Sequence, residues 1–347
     1  MTVAALAAAW LLLSSVVAEG GGHPGAPPER PRLTLGVSEA TPTPDWSILG
    51  EVPQTYYGAD IESAGDVNRD FRDEVLVVAP SYYSGSLDEL GEGKAYLYMG
   101  TASGPATTPA WSFESNQLGG HLTSARSAGD VDGDGYGDVM VAAQDYDNGE
   151  ADEGLVWLFF GSPSGLSPAP GWSTEGNQAG ARYGVSTCAG DVNGDGYADV
   201  IIGAYLFEAG QLAEGRAFLY LGGPGGPASS PDWTAESNRQ STYFGAACST
   251  GDVNGDGFDE IAIGASGYSN RQTNEGAVYL YRGSAIGPEP SPWKILAINK
   301  NYAGFGASVS IRGDFNGDGY HDLVSHVLIG DVHQVYIFNA SANGFSS

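Results

Sequence analysis

Residues 129–143 read GDVDGDGYGDVMVAA, with Asp130, Asp132, Asp134 and Asp138 crowded into one short run, Gly133 and Gly135 between them, and an apolar stretch behind. Close variants recur as GDVNGDGYADVIIGA, GDVNGDGFDEIAIGA and GDFNGDGYHDLVSHV, and a degenerate copy reads DVNRDFRDE. Aligned on their first Asp, the copies begin at Asp66, Asp130, Asp191, Asp252 and Asp314, spaced 64, 61, 61 and 62 residues apart. Other landmarks keep the same beat: Glu92-Gly93, Glu153-Gly154, Glu214-Gly215 and Glu275-Gly276, and the tryptophans Trp46, Trp111, Trp172, Trp233 and Trp293. Each unit holds four strand-like pieces, in the third YGVSTCAG, DVIIGAY, GRAFLYLGG and PDWTAES. No helical spacing of apolar residues is sustained beyond the N-terminus. Four short antiparallel strands per unit of this length predict an all-β chain, a β-propeller with five visible blades. The C-terminal YIFNASANGFSS stops short of a fourth strand, and EATPTPDWSILGE near the N-terminus matches the missing piece. The ring is therefore expected to close through the N-terminal strand, with a truncated six- or seven-bladed propeller as the alternative.

The chain has 347 residues, 53 of them Gly and 19 Pro, and a formal net charge of −28. Nucleic acid and anionic membrane surfaces need a basic stripe, and none is visible. A hydrophobic fraction of 41% with 7 Trp argues against disorder, so the acidity points to cations as partners. The apolar start MTVAALAAAWLLLSSVVAEG reads as a signal peptide over 1–18, the Pro/Gly-rich stretch 19–40 as a linker and 41–347 as the propeller, which predicts a secreted or cell-surface protein with no membrane span in the mature chain. Cys188 and Cys248 sit five and four residues after the aromatic of equivalent aromatic–glycine pairs, Tyr183-Gly184 and Phe244-Gly245, in neighbouring units. Two small buried side chains are the expectation, and a bridge between adjacent blades is the alternative.

In the second copy, oxygens of Asp130, Asp132, Asp134 and Asp138 and the backbone carbonyl of Tyr136 fall at positions 1, 3, 5, 9 and 7 of a curling loop. An all-oxygen set without His or Cys points to Ca²⁺, since Mg²⁺ gives up its waters reluctantly. The same positions hold Asp191, Asn193, Asp195, Tyr197 and Asp199, then Asp252, Asn254, Asp256, Phe258 and Glu260, then Asp314, Asn316, Asp318, Tyr320 and Asp322. The first copy keeps Asp66, Asn68, Asp70 and Glu74, but Phe71 replaces a glycine and Arg69 and Arg72 add positive charge, making it the poorest ligand set. An EF-hand would need a Glu at position 12, where these loops have Val77, Val141, Ile202, Ile263 or Ser325. A metal-free Asx turn competes for any single copy. Repeated close carboxylates would repel without a counter-ion.

Tyr57-Gly58, Tyr183-Gly184, Phe244-Gly245 and Phe305-Gly306, together with Val78–Pro80, Ile202–Ala204 and Ile263–Ala265, make residues 41–347 resemble the FG-GAP repeats of integrin α-chain propellers and related extracellular proteins. The resemblance implies calcium loops on one face and ligand contacts on the other. The second unit departs from it with Leu122-Thr123, and the five visible repeats are fewer than in an integrin propeller. No leg region or membrane span is expected to follow, so a full integrin subunit is not expected.

Strand direction alternates within a blade, which places the acidic turns on one face and the connections from strand two to three on the other. Those connections carry Tyr82, Tyr83, Tyr146, Tyr205, Phe207 and Tyr268, and the blade-to-blade connections carry Asn116, Gln117, Asn177, Gln178 and Asn238. Such a rim suits an extracellular protein or glycan ligand, unless the rings pack between blades. The expected function is a secreted calcium-binding recognition or adhesion module, with a passive surface scaffold, or less so a propeller hydrolase or lyase, as alternatives. His23, His121, His321, His326 and His333 form no HExxH pattern, and the chain shows no nucleophile elbow or phosphate loop, so catalysis is not expected.

Overall fold

The computed structural model describes residues 44–84 and 91–345; the expected signal peptide and linker lie outside them. The first blade comprises β1 (Asp60–Gly65), β2 (Glu74–Ala79), β3 (Lys94–Tyr98) and β4 (Trp111–Glu114), and the second β5 (Ser124–Gly129), β6 (Asp138–Ala143), β7 (Leu155–Phe159) and β8 (Trp172–Glu175). The third holds β9 (Tyr183–Gly190), β10 (Asp199–Ala204), β11 (Arg216–Tyr220) and β12 (Trp233–Glu236). The fourth holds β13 (Phe244–Gly251), β14 (Glu260–Ala265), β15 (Ala277–Tyr281) and β16 (Lys294–Ala297), and the fifth β17 (Val309–Gly313), β18 (Asp322–Ile329) and β19 (Val332–Phe338). Four sheets have four strands in chain order and the fifth has three, all paired antiparallel. The molecule is a β-propeller built from one repeated hairpin pair, as the spacing predicts.

Strand alternation explains why the blades stack. In β6 every residue is buried, yet Val139 and Val141 pack with Leu76, Val78 and Leu97 of the first blade, while Met140 and Ala142 pack with Tyr183, Val200 and Ile202 of the third. One strand thus feeds two seams through its two faces. Equivalent apolar clusters join the third blade to the fourth and the fourth to the fifth. The five innermost strands, β1, β5, β9, β13 and β17, together line an axial channel.

The outer tryptophans of the first three blades each link to the following blade, while the Trp293 indole N–H of the fourth has no partner among the described residues. The indole N–H groups of Trp111, Trp172 and Trp233 donate to the carbonyls of Ser167, Ala228 and Glu289, at 3.0, 3.0 and 3.2 Å. Trp46 makes the same contact, donating to Ala106 at 3.2 Å. The segment therefore holds the place of an outer strand on its first-blade side. The ladder that would close the ring is not found: residues 46–50 form no strand, and β19 is the outermost strand of its sheet. Trp46, Ile48 and Val52 are instead taken up by the first blade's own tyrosines, Tyr96 and Tyr98. On β19, Val335 and Ile337 stay 68% and 50% exposed, although their counterparts Val278 and Leu280 on β15 are fully buried.

Cys188 of β9 and Cys248 of β13 are joined in a disulfide across the third seam, with Cα atoms 5.9 Å apart. This corrects the expectation of two unlinked buried thiols. The adjacent inner strands bring the two cysteines face to face although they lie 60 residues apart in the chain and one register place out of step, Cys188 opposite Ile201 and Cys248 opposite Ile263. Reduction, or the Cys188→Ala/Cys248→Ala pair, is expected to lower stability by about 2–4 kcal/mol. Urea unfolding with and without reductant measures it, and an unchanged midpoint would count against a stabilising bridge.

Candidate metal centre

Each acidic turn joins the first and second strands of its blade, so all five fall on one face. Glycine fixes their path: Gly133 and Gly135 have φ of 75° and 89°, and the third, fourth and fifth turns repeat these values within a few degrees at Gly194 and Gly196, Gly255 and Gly257, and Gly317 and Gly319. The first turn keeps the same path with side chains, Arg69 at φ 57° and Phe71 at φ 66°, in the left-handed region that disfavours them. Phe71 is 96% exposed and buries nothing in return.

The first Asp of each turn organises the loop. Asp130 accepts from the N–H groups of Gly133 at 2.7 Å and Gly135 at 2.8 Å, and Asp191, Asp252 and Asp314 accept from the corresponding glycines Gly196, Gly257 and Gly319. Position 3 accepts from the N–H of position 5, and position 5 from that of position 7, as in Asn193 to Asp195 and Asp195 to Tyr197. Asp66 and Asn68 do the same in the first turn, accepting from Asp70. In the second turn these bonds take one backbone N–H on each Asp130 oxygen and leave acceptor capacity for a cation, whereas Asp252 Oδ1 already accepts from three N–H groups.

The ninth position is of a different kind. Glu74, Asp138, Asp199, Glu260 and Asp322 are all fully buried. Asp138 accepts from the N–H of Val131 at 2.8 Å and that of Gly161 at 2.9 Å, so it ties the turn to the end of the blade's third strand. Asp199 bonds Val192 and Gly222, Asp322 bonds Phe315 and Ala340, and Glu74 bonds Val67 and Gly100 in the same way. Glu260 bonds Val253 and takes its second donor from the Asn254 side chain. Burial pushes Asp138 and Asp199 up to about 7 and Glu260 up to about 8, in each case against the pull of the backbone donor and helped by the neighbouring turn carboxylates.

The donor chemistry fits a hard divalent cation best in the second turn. Oxygens of Asp130, Asp132 and Asp138 lie within 4.8 Å of one another. The third and fifth turns place Asn193 and Asn316 at position 3, where their amide N–H groups donate to Asp195 at 2.9 Å and Asp318 at 3.0 Å. Those amides soften the repulsion that Asp132 leaves unrelieved. Desolvation raises Asp132 above the ordinary carboxylate range, with Asp134 and Asp130 adding to the shift. In the first turn Arg72 pairs with Asp70 at 3.4 Å, while Arg69 leaves its own loop and lies over the ring of Tyr136.

Two sets of residues acquire roles that composition alone did not assign. The aromatic ring at position 7 covers the position-4 residue of the preceding turn: Tyr197 on Gly133, Phe258 on Gly194, Tyr320 on Gly255 and Tyr136 under Arg69. Backbone bonds run alongside, from the N–H of Gly137, Ala198 and Asp259 to the carbonyls of Asp66, Asp130 and Asp191, at 3.0, 2.9 and 2.9 Å. The turns thus interlock around the face. On the opposite face the buried Glu153, Glu214 and Glu275 each accept two backbone N–H groups of their own connection, for example Asn148 and Glu150 on Glu153. Their Glu-Gly beat was the visible signal.

The expected recognition rim is partly consumed by packing. Tyr82 and Tyr268 are buried, and Tyr146 packs on Trp157 and Phe207 on Phe218, each a ring of its own blade. Gln117 and Gln178 clamp the neighbouring connection, each donating to one backbone carbonyl and accepting from the N–H of the same residue, Asp147 or Glu208.

The family model of the FG-GAP repeat matches residues 124–159, 183–213 and 244–281, the second to fourth blades. The chain is an FG-GAP repeat protein. Integrin alpha-PS2 of Drosophila melanogaster is 35% identical over 181 residues, covering 48% of this FG-GAP chain and 12% of that protein. Integrin alpha-PS5 of the same organism is 33% identical over 244 residues, covering 66% of this chain and 22% of its own length. The FG-GAP chain thus spans less than a quarter of either relative. Among solved structures, the β-propeller domain of the Trilobed protease from Pyrococcus furiosus gives a TM-score of 0.40 at 9% identity, covering 76% of this chain and 64% of that one. The first and fifth units lie outside the matched ranges, the first with Arg69 and Phe71 in its turn and the fifth with only three strands.

A carboxyl whose folded-state value lies above its ordinary one binds its proton more tightly when folded, so stability falls as pH rises through that window. With a chelator present, the melting temperature is expected to fall between pH 5 and pH 8, the span from the ordinary carboxylate range to the raised values of Asp138, Asp199 and Glu260. Thermal melts across that range check it, and a melting temperature that climbs with pH in chelator would contradict it.

Proposed function

We propose that the chain is an extracellular, calcium-stabilised recognition module that binds a protein or glycan ligand on the face opposite the acidic turns. The convergence of Asp130, Asp132 and Asp138 carries the calcium part of this reading. Position 1, 3, 5 and 9 oxygens with the position-7 carbonyl would hold the ion in the second to fifth turns, and Asp66, Asn68, Asp70 and Glu74 would hold it least well in the first. Bound Ca²⁺ supplies positive charge where buried and clustered carboxylates otherwise repel. It does no chemistry on a substrate in this reading.

The recognition part draws on the similarity to integrin alpha chains, a resemblance that implies ligand contacts on the face opposite the calcium loops. The disulfide between Cys188 and Cys248 suits an oxidising compartment, in keeping with a secreted or cell-surface location. Among the described residues no helix is long and apolar enough to cross a membrane. Tyr83 and Tyr205 remain partly exposed on the opposite face and are the aromatic candidates for contact.

Calcium is expected to raise the melting temperature of the chelated protein by an amount that grows with concentration, as binding to the folded state requires. Asp132→Asn should melt higher than wild type in chelator, through relief of repulsion, and gain less from calcium. Equal calcium gains in the two proteins would count against the second turn as a site. Ligand binding is read separately, on glycan arrays and by pull-down from extracellular matrix with and without chelator. No retained ligand in calcium would favour a passive scaffold.

A further inference from the structure

The axial channel is a second place where charge is concentrated, and it stands apart from the acidic turns. Its central cavity, of about 250 Å³, is lined by residues of all five inner strands, among them Glu62, Arg126, Thr187, Ser249 and Arg312. A neighbouring cavity of about 290 Å³ shares Arg126 with it, and another of about 370 Å³ shares Arg312. Only 14 of the chain's residues are Lys or Arg, against 42 acidic ones, and two of those cations point into this one space.

The two arginines differ. Arg126 is neutralised where it stands, with Asp60 at 2.6 Å and Glu62 at 3.6 Å. Arg312 leaves the fifth blade, passes the fourth and donates one N–H to the carbonyl of Ala189 in the third, at 2.9 Å. Among the described residues no carboxylate lies within ion-pair distance of it, and Asp259 at the channel's end is engaged by the Asp191 N–H at 3.1 Å. A guanidinium has five N–H donors in a fork shaped for oxyanions. On the same wall the Thr187 hydroxyl is buried without a hydrogen-bond partner, in a residue only 9% exposed. A buried hydroxyl left unpaired is destabilising, so its occurrence on the wall that Arg312 reaches points to a group that would satisfy both.

We propose that the axial channel binds a small oxyanion or carboxylate, held by the free edge of the Arg312 guanidinium and by the Thr187 hydroxyl. The cavity has room for a sulfate or a short dicarboxylate but not for a polymer, and the surrounding acidity excludes larger anions.

Calorimetric titration of the calcium-loaded full chain with sulfate and with malonate, at constant ionic strength, tests this. Saturable binding of either anion, with a Kd on the order of 1 mM, is expected. Arg312→Gln should weaken it at least tenfold. Arg312→Lys should retain part, since charge survives and the fork does not. Thr187→Val should weaken it several-fold while its anion-free melting temperature stays level or rises, because the hydroxyl makes no bond in the free protein. Preference for sulfate or malonate distinguishes a tetrahedral from a planar ligand. Absence of saturable binding to wild type would overturn the proposal, as would wild-type affinity in Arg312→Gln. Should Arg312→Gln fail to fold, unchanged affinity in Thr187→Val overturns it.

Discussion

The structure depends on a carboxylate buried where strand two of each blade begins. Asp138 and its counterparts in the other four blades are removed from water, and each is matched to two N–H donors. One donor belongs to the turn behind it. In four of the five blades the other lies just past the blade's third strand, so a single side chain pins the acidic turn to the far hairpin. Burying a charge with only hydrogen bonds to compensate is costly, and the raised values of Asp138, Asp199 and Glu260 express that cost. A nearby cation relieves it. The position that holds the blade together is therefore also the one at which a nearby cation would bring the most relief.

From this anchor the organisation spreads in two directions. Along the acidic face, position-1 carbonyls accept from the next turn and position-7 rings cover the preceding glycine, so neighbouring loops share one surface. On the opposite face Glu153, Glu214 and Glu275 play the corresponding part for the long connections, again as buried acceptors of backbone N–H groups. Between the two faces the alternation of β6, β10 and β14 sends apolar side chains into both seams at once. Two kinds of buried acid and one apolar alternation thus account for most of a blade.

What repeats was legible in the sequence. The 61-residue beat, the four strands and the position of the acidic turn follow from local pattern and turn chemistry, and the strands of the third blade lie where YGVSTCAG, DVIIGAY, GRAFLYLGG and PDWTAES placed them. What joins one repeat to the next was harder to read. The Cys188–Cys248 bridge, the Gln117 and Gln178 clamps and the path of Arg312 to Ala189 depend on which residues meet across a seam or the axis. The aromatic rim was ambiguous for the same reason, because a tyrosine at the seam and a tyrosine at a ligand surface look alike in one dimension. The closing strand failed at the level of backbone pairing: Trp46 found its acceptor, but β19 found no fourth strand.

The disulfide has a mechanical consequence. Units in a linear array touch only their neighbours, and such arrays come apart from their ends inward. Here the third seam alone is crossed by a covalent bond, among the described residues. The bond keeps the third and fourth blades within reach of each other even when the flanking blades loosen, so the pair on either side of that seam stays available as a template for re-closure.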